Sequence, residues 1–212
     1  MSLDSEAKRL WRAARTLSSA AGTPHLPPLL FFTDPERTPE PWRIAERLPA
    51  GASVVHRGFG RPESHEEAGR LREVARRAGV KLLIGKDAEL AEAIMADGVH
   101  LPEADAGRAA ELRRRNPHWL VTAAWHPGRS PIAPRDTGLD ALIASPIFSP
   151  GGASSGPGLG PEGLATSVAA SRLPVYALGG ITAARAELLE DSGACGIAAV
   201  DAVMSAWGRI RT

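Results

Sequence analysis

Residues able to do chemistry recur at one kind of position in this chain, at or just past the end of a short apolar run. Asp34 follows LLFFT, Arg57 follows ASVVH, and Gly85 and Lys86 follow VKLLI. His100 closes ADGVH, with Asp105 a few residues on. His126 follows LVTAAW, and Gly179 and Gly180 follow PVYAL. A histidine such as His126 can act as general acid or base near neutral pH; the plain alternative is an exposed loop histidine. A guanidinium such as Arg57 suits bidentate binding of a phosphate or carboxylate, or a salt bridge to Asp34. Asp34 and Asp105 can serve as paired carboxylates for a metal, or as partners of Arg57. His100 reads as a satisfied residue of the same rim. Gly179 and Gly180 lack Cβ atoms, so the backbone there can approach a ligand and present amide N–H groups. The glycine-rich stretch FSPGGASSGPGLG, residues 148–160, offers Ser149 and backbone amides as an anion grip, or forms a lid that orders over substrate.

The elements that must hold these residues follow from the pattern. PVYALGGITAARAELLEDSGACGIAAVDAV, residues 174–203, reads as strand, loop, helix, strand, the length of one βαβ unit, with Thr182 placed to cap the helix. Upstream, apolar runs at 29–33, 52–56, 80–84, 98–101, 120–125 and 141–147 read as strands buried on both faces. Helical spacing is expected at 40–48, 63–78, from a cap at Asp87 through Met95, at 106–115, at 161–171 and at 204–210. Residues 4–20 form an amphipathic helix ahead of any strand, expected to plug or flank the barrel floor. Strands alternating with helices predict a parallel sheet, and eight repeats favour closure into a (β/α)8 TIM barrel. Between the fifth and sixth strands lie Pro127, Pro131 and Pro134. A proline inside a helix costs about 3 kcal/mol, so the helix after strand five should be short or missing. In such a barrel the chemistry sits at the C-terminal ends of the strands, and the loops after strands seven and eight commonly cradle phosphate.

Composition narrows the function classes. The 212 residues fit one domain spanning 1–212, with the helix at 4–20 and the barrel at 29–204. Lys and Arg total 25 against 24 Asp and Glu, so no global field favours nucleic acid or a membrane. A single cysteine, Cys195, excludes an intramolecular disulfide. No apolar run reaches the roughly 18 residues that span a bilayer, and a cytoplasmic protein is expected.

The motifs LLFFTD, ADGVHLPEAD, SPIF, ALGGI and GACGIAAVDAV together resemble the thiamine phosphate synthase and TenI family, over nearly all of residues 29–204. The fourteen positions from His126 to Asp140 also match that family's spacing from its strand-five His to the acid opening strand six. The resemblance implies a (β/α)8 barrel, usually a homodimer. It implies an enzyme joining a thiazole phosphate to an aminopyrimidine methyl diphosphate, with release of pyrophosphate and with Mg2+. It carries over unevenly. Arg57 matches the one arginine of the family's strand-two motif, Asp105 its second Mg2+ carboxylate, His126 its strand-five His, and Gly179-Gly180 its glycine pair. Ala199, Val200 and Asp201 stand where strand-eight amides help hold the thiazole phosphate. Gly85-Lys86 replaces an Asn-Asp pair, so the first Mg2+ carboxylate has become a cation, which can stand in for the metal beside the leaving group. Ala124 replaces a serine, and 150–153 replaces a Thr-x-Thr-Lys diphosphate loop. An Asp201 carboxylate facing a phosphate would repel it unless turned away. Two further readings stay open: a TenI-like isomerase that shifts a double bond on a thiazole phosphate with His126 as acid/base, and a non-catalytic member that binds or regulates through a phosphorylated ligand.

Overall fold

The computed structural model describes residues 3–58, 60–127, 138–149 and 158–208. Eight parallel strands close into a barrel in chain order: β1 Leu29–Phe32, β2 Ser53–His56, β3 Lys81–Gly85, β4 Gly98–Leu101, β5 Leu120–Trp125, β6 Ala141–Ala144, β7 Val175–Leu178 and β8 Gly196–Ala199. The ring is completed by pairing of β1 with β8, Leu29 opposite Ile197 and Phe31 opposite Ala199. The helices are α1 Leu3–Ala20, α2 Pro41–Ala45, α3 Ser64–Ala78, α4 Ala88–Ala93, α5 Ala109–Arg115, α6 Gly160–Ala170, α7 Ala183–Glu187 and α8 Asp201–Trp207. Two 3-10 turns, Glu103–Arg108 and Glu190–Ser192, complete the description.

Alternation along each strand sorts the side chains into two apolar layers. Leu30, Phe32, Val55, Leu83, Leu120, Ile143, Tyr176 and Ala198 fill the barrel interior. Leu29, Phe31, Val54, Leu82, Ile84, Val99, Val121, Trp125 and Leu142 face the helices. Leu26 joins the interior cluster from just before β1, and the buried Tyr176 hydroxyl donates to the Pro27 carbonyl at 2.6 Å. That segment closes the floor. Helix α1 does not plug it: Leu10, Ala13, Ala14 and Leu17 pack in the outer cluster, against α7, α8 and the backs of β8 and β1. Arg9 anchors α1 to α7 through Glu187 at 2.6 and 2.9 Å.

Several expected ends move. Helix α2 stops at Ala45, short of 48, and α4 stops at Ala93, short of Met95, which takes a left-handed φ of 53°. The expected helix at 106–115 is a 3-10 turn followed by α5. Strand β6 ends at Ala144, although Ile147 and Phe148 still donate to Leu178 and Gly179 carbonyls. Helix α8 begins at Asp201, three residues before the expected start. Asp87 and Thr182 do cap α4 and α7, accepting from the amides of Leu90 and Arg185. The shortened helix after strand five falls on 128–137, outside the described residues.

Two aspartates clamp the floor in the same way. Asp97 accepts from the Leu82 amide (2.8 Å) and from Arg72 of α3 (2.7 Å). Asp140 accepts from the Val121 amide (2.7 Å) and from Arg113 of α5. Each carboxylate thus ties a neighbouring strand and an outer helix to one point. Because both ion pairs are partly solvated, their worth is modest. Asp140→Ala is expected to cost about 1–2 kcal/mol, mostly through the orphaned strand amide, and to lower Tm by about 2–8 °C. An unchanged melting temperature would show that the clamp contributes nothing.

Candidate active site at the carboxyl ends of the strands

Inward-facing parity brings Phe32, Arg57, His100 and His126 to the mouth of the barrel. Arg57 is fixed along its length. Its amide donates to the Thr33 hydroxyl (3.0 Å), its Nε donates to the Thr33 carbonyl (2.7 Å), and its guanidinium lies 5.5 Å from the Phe32 ring centre. Asp34 sits 3.5 Å from its Nη2, so the expected salt bridge exists, at long range. Burial pulls the Arg57 guanidinium below its ordinary value, Asp34 opposing and Arg37 assisting. It stays a cation, held rigid and partly desolvated, which favours recognition of an anion.

Asp34 is not half of a metal pair. It accepts from the guanidinium of Arg37 at 3.0 Å and from the amides of Glu36 and Arg37. The Arg37 hydrogen bond, above the other causes, holds its carboxyl below the usual range. Arg37 also donates to both oxygens of Asp201 at 3.1 Å. The feared repulsion at the end of β8 is therefore relieved: the Asp201 carboxylate is exposed and engaged by an arginine. Asp105 lies half-buried in the 3-10 turn after β4. Among the described residues no group of three or more His, Cys, Asp or Glu side chains could hold a metal ion.

Lys86 adopts a left-handed φ of 68° at the end of β3, its amide donating to the His100 carbonyl. Its side chain is exposed. For a residue with a Cβ this backbone conformation is uncommon and tends to mark functional strand ends. Gly85 beside it approaches Arg57: a Cβ there would stand 3.4 Å from Arg57 Cγ.

The glycine pair is required by packing. Gly180 has φ 62°, and a Cβ on it would lie 2.6 Å from the Phe148 carbonyl oxygen. Gly179, at φ 102°, would meet Pro146 at 3.0 Å. The β7 loop thus lies directly against the segment leaving β6. Arg185 secures it, donating to the Gly180 carbonyl (2.9 Å) with its guanidinium 5.2 Å from the Phe148 ring. Ser149 accepts from the Gly158 amide at 3.1 Å, and Leu159 and Gly160 donate to the Pro146 and Ile147 carbonyls. The base of the glycine-rich stretch is stapled; residues 150–157 lie outside the described residues. The buried Cys195 thiol, raised by burial, is part of the interior cluster.

His100 is structural. It is buried, its Nδ1 lies 3.0 Å from the Thr122 hydroxyl, and it meets Phe32 edge-on at 5.0 Å. Burial, with Arg57 nearby, pushes it down to about 3. In the unfolded chain it takes up a proton below about pH 6.5. Its contribution to stability is therefore intact above pH 6.5 and is lost as pH falls from there towards 3. At pH 5 the expected loss is about 2 kcal/mol. His56, also pushed down by burial, acts in the same direction. Urea unfolding at pH 7.5 and 5.0 should show this loss, and His100→Asn should reduce it; equal pH dependence in the two proteins would contradict the assignment.

His126 is the exception among these histidines. It is only part-buried, and its Nδ1 lies 2.7 Å from Oε2 of Glu103. Glu103 opens the 3-10 turn after β4, and β4 and β5 run side by side, Leu101 opposite Ala123. Sequence reading missed Glu103. Its signal lay in the register: two residues past Leu101 and three past Ala123 meet over the same rim.

Residues 29–203 match the family model described as thiamine monophosphate synthase. The chain belongs to the thiamine monophosphate synthase family. A thiamine-phosphate synthase of Chlorobium luteolum is 33% identical over 189 residues, covering 87% of this chain and 88% of its own length. That of Chloroflexus aurantiacus is 37% identical over 170 residues, covering 77% of each. A bifunctional thiamine biosynthesis protein of Symbiobacterium thermophilum is 36% identical over 146 residues, which is 68% of this chain but 30% of that longer protein. In three dimensions the chain resembles a thiamine phosphate pyrophosphorylase from Pyrococcus furiosus, with TM-score 0.66 and 27% identity over 84% of this chain and 87% of that one. The family's closed eight-stranded barrel is present, with Arg57, His126 and Gly179-Gly180 just past the carboxyl ends of β2, β5 and β7.

Proposed function

We propose that the chain is a thiamine phosphate synthase, joining a thiazole phosphate to an aminopyrimidine methyl diphosphate. The methylene carbon–oxygen bond breaks, its electron pair leaves with pyrophosphate, and the thiazole nitrogen forms the new bond to that carbon. Such a reaction needs cationic groups at the leaving diphosphate. Arg57 and Lys86 supply them here. The thiazole phosphate rests on the amides of Gly180 and of Ala199, Val200 and Asp201, with Ser149 at the edge. The observation that carries this reading is the Asp201 carboxylate held by Arg37, which leaves the backbone at the β8 end compatible with an anion.

Among the described residues the donors do not fit a protein-built Mg2+ site. Asp105 is one carboxylate, Lys86 occupies the other family position, and Asp34 is committed to Arg37. Incubation of the pure protein with both substrates, with and without Mg2+, should yield thiamine phosphate by mass spectrometry. No product under either condition would reject the synthase reading.

A second reading is favoured by one observation, the His126–Glu103 pair. A held histidine at the mouth suits a thiazole phosphate tautomerase, which needs one acid/base and a phosphate grip. Isomerisation of the thiazole tautomer alone, lost in His126→Ala, would select it. Phosphate-ligand binding without either reaction would select a non-catalytic role. No helix among the described residues is long and apolar enough to cross a membrane.

A further inference from the structure

We propose that Glu103 is a positioning residue for His126, fixing the imidazole with its proton on Nδ1 and its lone pair on Nε2. This rests on the second reading, in which His126 is the acid/base that shifts the double bond of the thiazole phosphate tautomer.

The geometry is specific. A carboxylate can only accept when ionised, so the 2.7 Å contact to Nδ1 makes Nδ1 the donor. The remaining nitrogen, Nε2, then carries the lone pair, and among the described residues it has no partner. Glu103 cannot easily turn away. It sits on a 3-10 turn entered through Pro102, and its side chain is three-quarters buried. Its second oxygen, Oε1, is fully buried with no hydrogen bond. Fold stability alone gives no reason to hold a carboxylate with one oxygen dry and unsatisfied, because such an oxygen costs about 1–3 kcal/mol. Strain of this kind is tolerated where a function needs the group. The role is that of a carboxylate behind a general base. Nε2 takes a proton from the bound ring, the imidazolium so formed is stabilised by Glu103, and the proton returns from Nε2. The proton stays on the imidazole and does not pass to Glu103.

The nearby groups do not compete for this role. Asp105 lies on the same turn, and the Nε of Arg57 donates to the Thr33 carbonyl rather than to Glu103. The bond also joins the rim of β4 to that of β5, so it sets the ring's direction as well as its tautomer.

Nitrogen-15 NMR of histidine-labelled protein at pH 8 reads the tautomer directly. The wild-type His126 spectrum is expected to show a protonated Nδ1 and an unprotonated Nε2. In Glu103→Ala the proton should move largely to Nε2, the form that free imidazole prefers. Glu103→Gln keeps a carbonyl acceptor, so the wild-type pattern should be rescued. A merely structural glutamate would shift none of these signals. For isomerisation of the thiazole phosphate tautomer, kcat should fall about tenfold or more in Glu103→Ala, within the range that general acid–base groups contribute, while KM changes less than about threefold; Glu103→Gln should fall between. A wild-type spectrum with the proton on Nε2 would overturn the proposal even if Glu103→Ala failed to fold, and so would an unchanged tautomer in a folded Glu103→Ala. If His126→Ala retains full activity while the tautomer still responds to Glu103, positioning stands and the catalytic reading of His126 falls.

Discussion

On the tautomerase reading, His126→Ala is expected to lower kcat for isomerisation of the thiazole phosphate tautomer by about 10²- to 10⁴-fold with little change in KM, the usual share of a general acid–base group. The argument is one of contrast. His56 and His100 are buried and pushed down, so neither gains a proton near neutral pH. His126 alone of the three is part-exposed, sits at the mouth, and has a carboxylate on one nitrogen with the other open. Its removal should leave the fold intact, since it belongs to neither apolar cluster. Steady-state kinetics beside a melting curve would check this. A kcat within threefold of wild type, at unchanged Tm, would show that no proton passes through this ring.

Gly180→Ala should produce the largest loss of stability among single changes at the mouth, about 2–5 kcal/mol. Two independent costs add. A non-glycine residue at φ 62° pays about 1–2 kcal/mol. The new methyl would stand 2.6 Å from the Phe148 carbonyl oxygen and 2.8 Å from its Cβ, and overpacking of that kind costs about 1–3 kcal/mol. Because Phe148 is backbone-bonded to Gly179 and covered by Arg185, it cannot yield without dragging the start of the glycine-rich stretch. Denaturant unfolding should show the loss, and affinity for a thiazole phosphate should fall with it. Full stability in Gly180→Ala would mean that the Phe148 segment gives way freely.

How far the sequence could be read depended on what each signal measures. The limits of β4 and β5 are correct to the residue. Their apolar runs are bounded by residues with other duties: Asp97 as a clamp, Pro102 as the entry to a turn, and Asn116-Pro117 as a stop. Strand β6 was expected to run to 147 because apolar character continues there. Hydrophobicity reports burial, and Ile147 is buried, but the chain has already left the ladder at Ser145-Pro146. The C-terminal helix was placed late because Asp201 was read as part of a strand end; an acid in the first turn complements the helix dipole. At the site, chain order shows which residues reach the mouth, since all strands end there. It does not show which of them touch. The Arg37 link between Asp34 and Asp201, and the Glu103–His126 pair, join residues from different βα units. Only the barrel's register brings them together.

The attachment of α1 to α7, through Arg9 and Glu187 separated by 178 positions, bears on how the chain is made. As it leaves the ribosome, α1 presents Leu10, Ala13, Ala14 and Leu17 with nothing to cover them until nearly the whole polypeptide has emerged. Strand β1 waits equally long for β8. Non-local closure of this kind is slow and exposes sticky surface. Translation that stalls late in the message should therefore leave an aggregation-prone nascent product, and chaperone demand should fall sharply once α7 and β8 are free to dock.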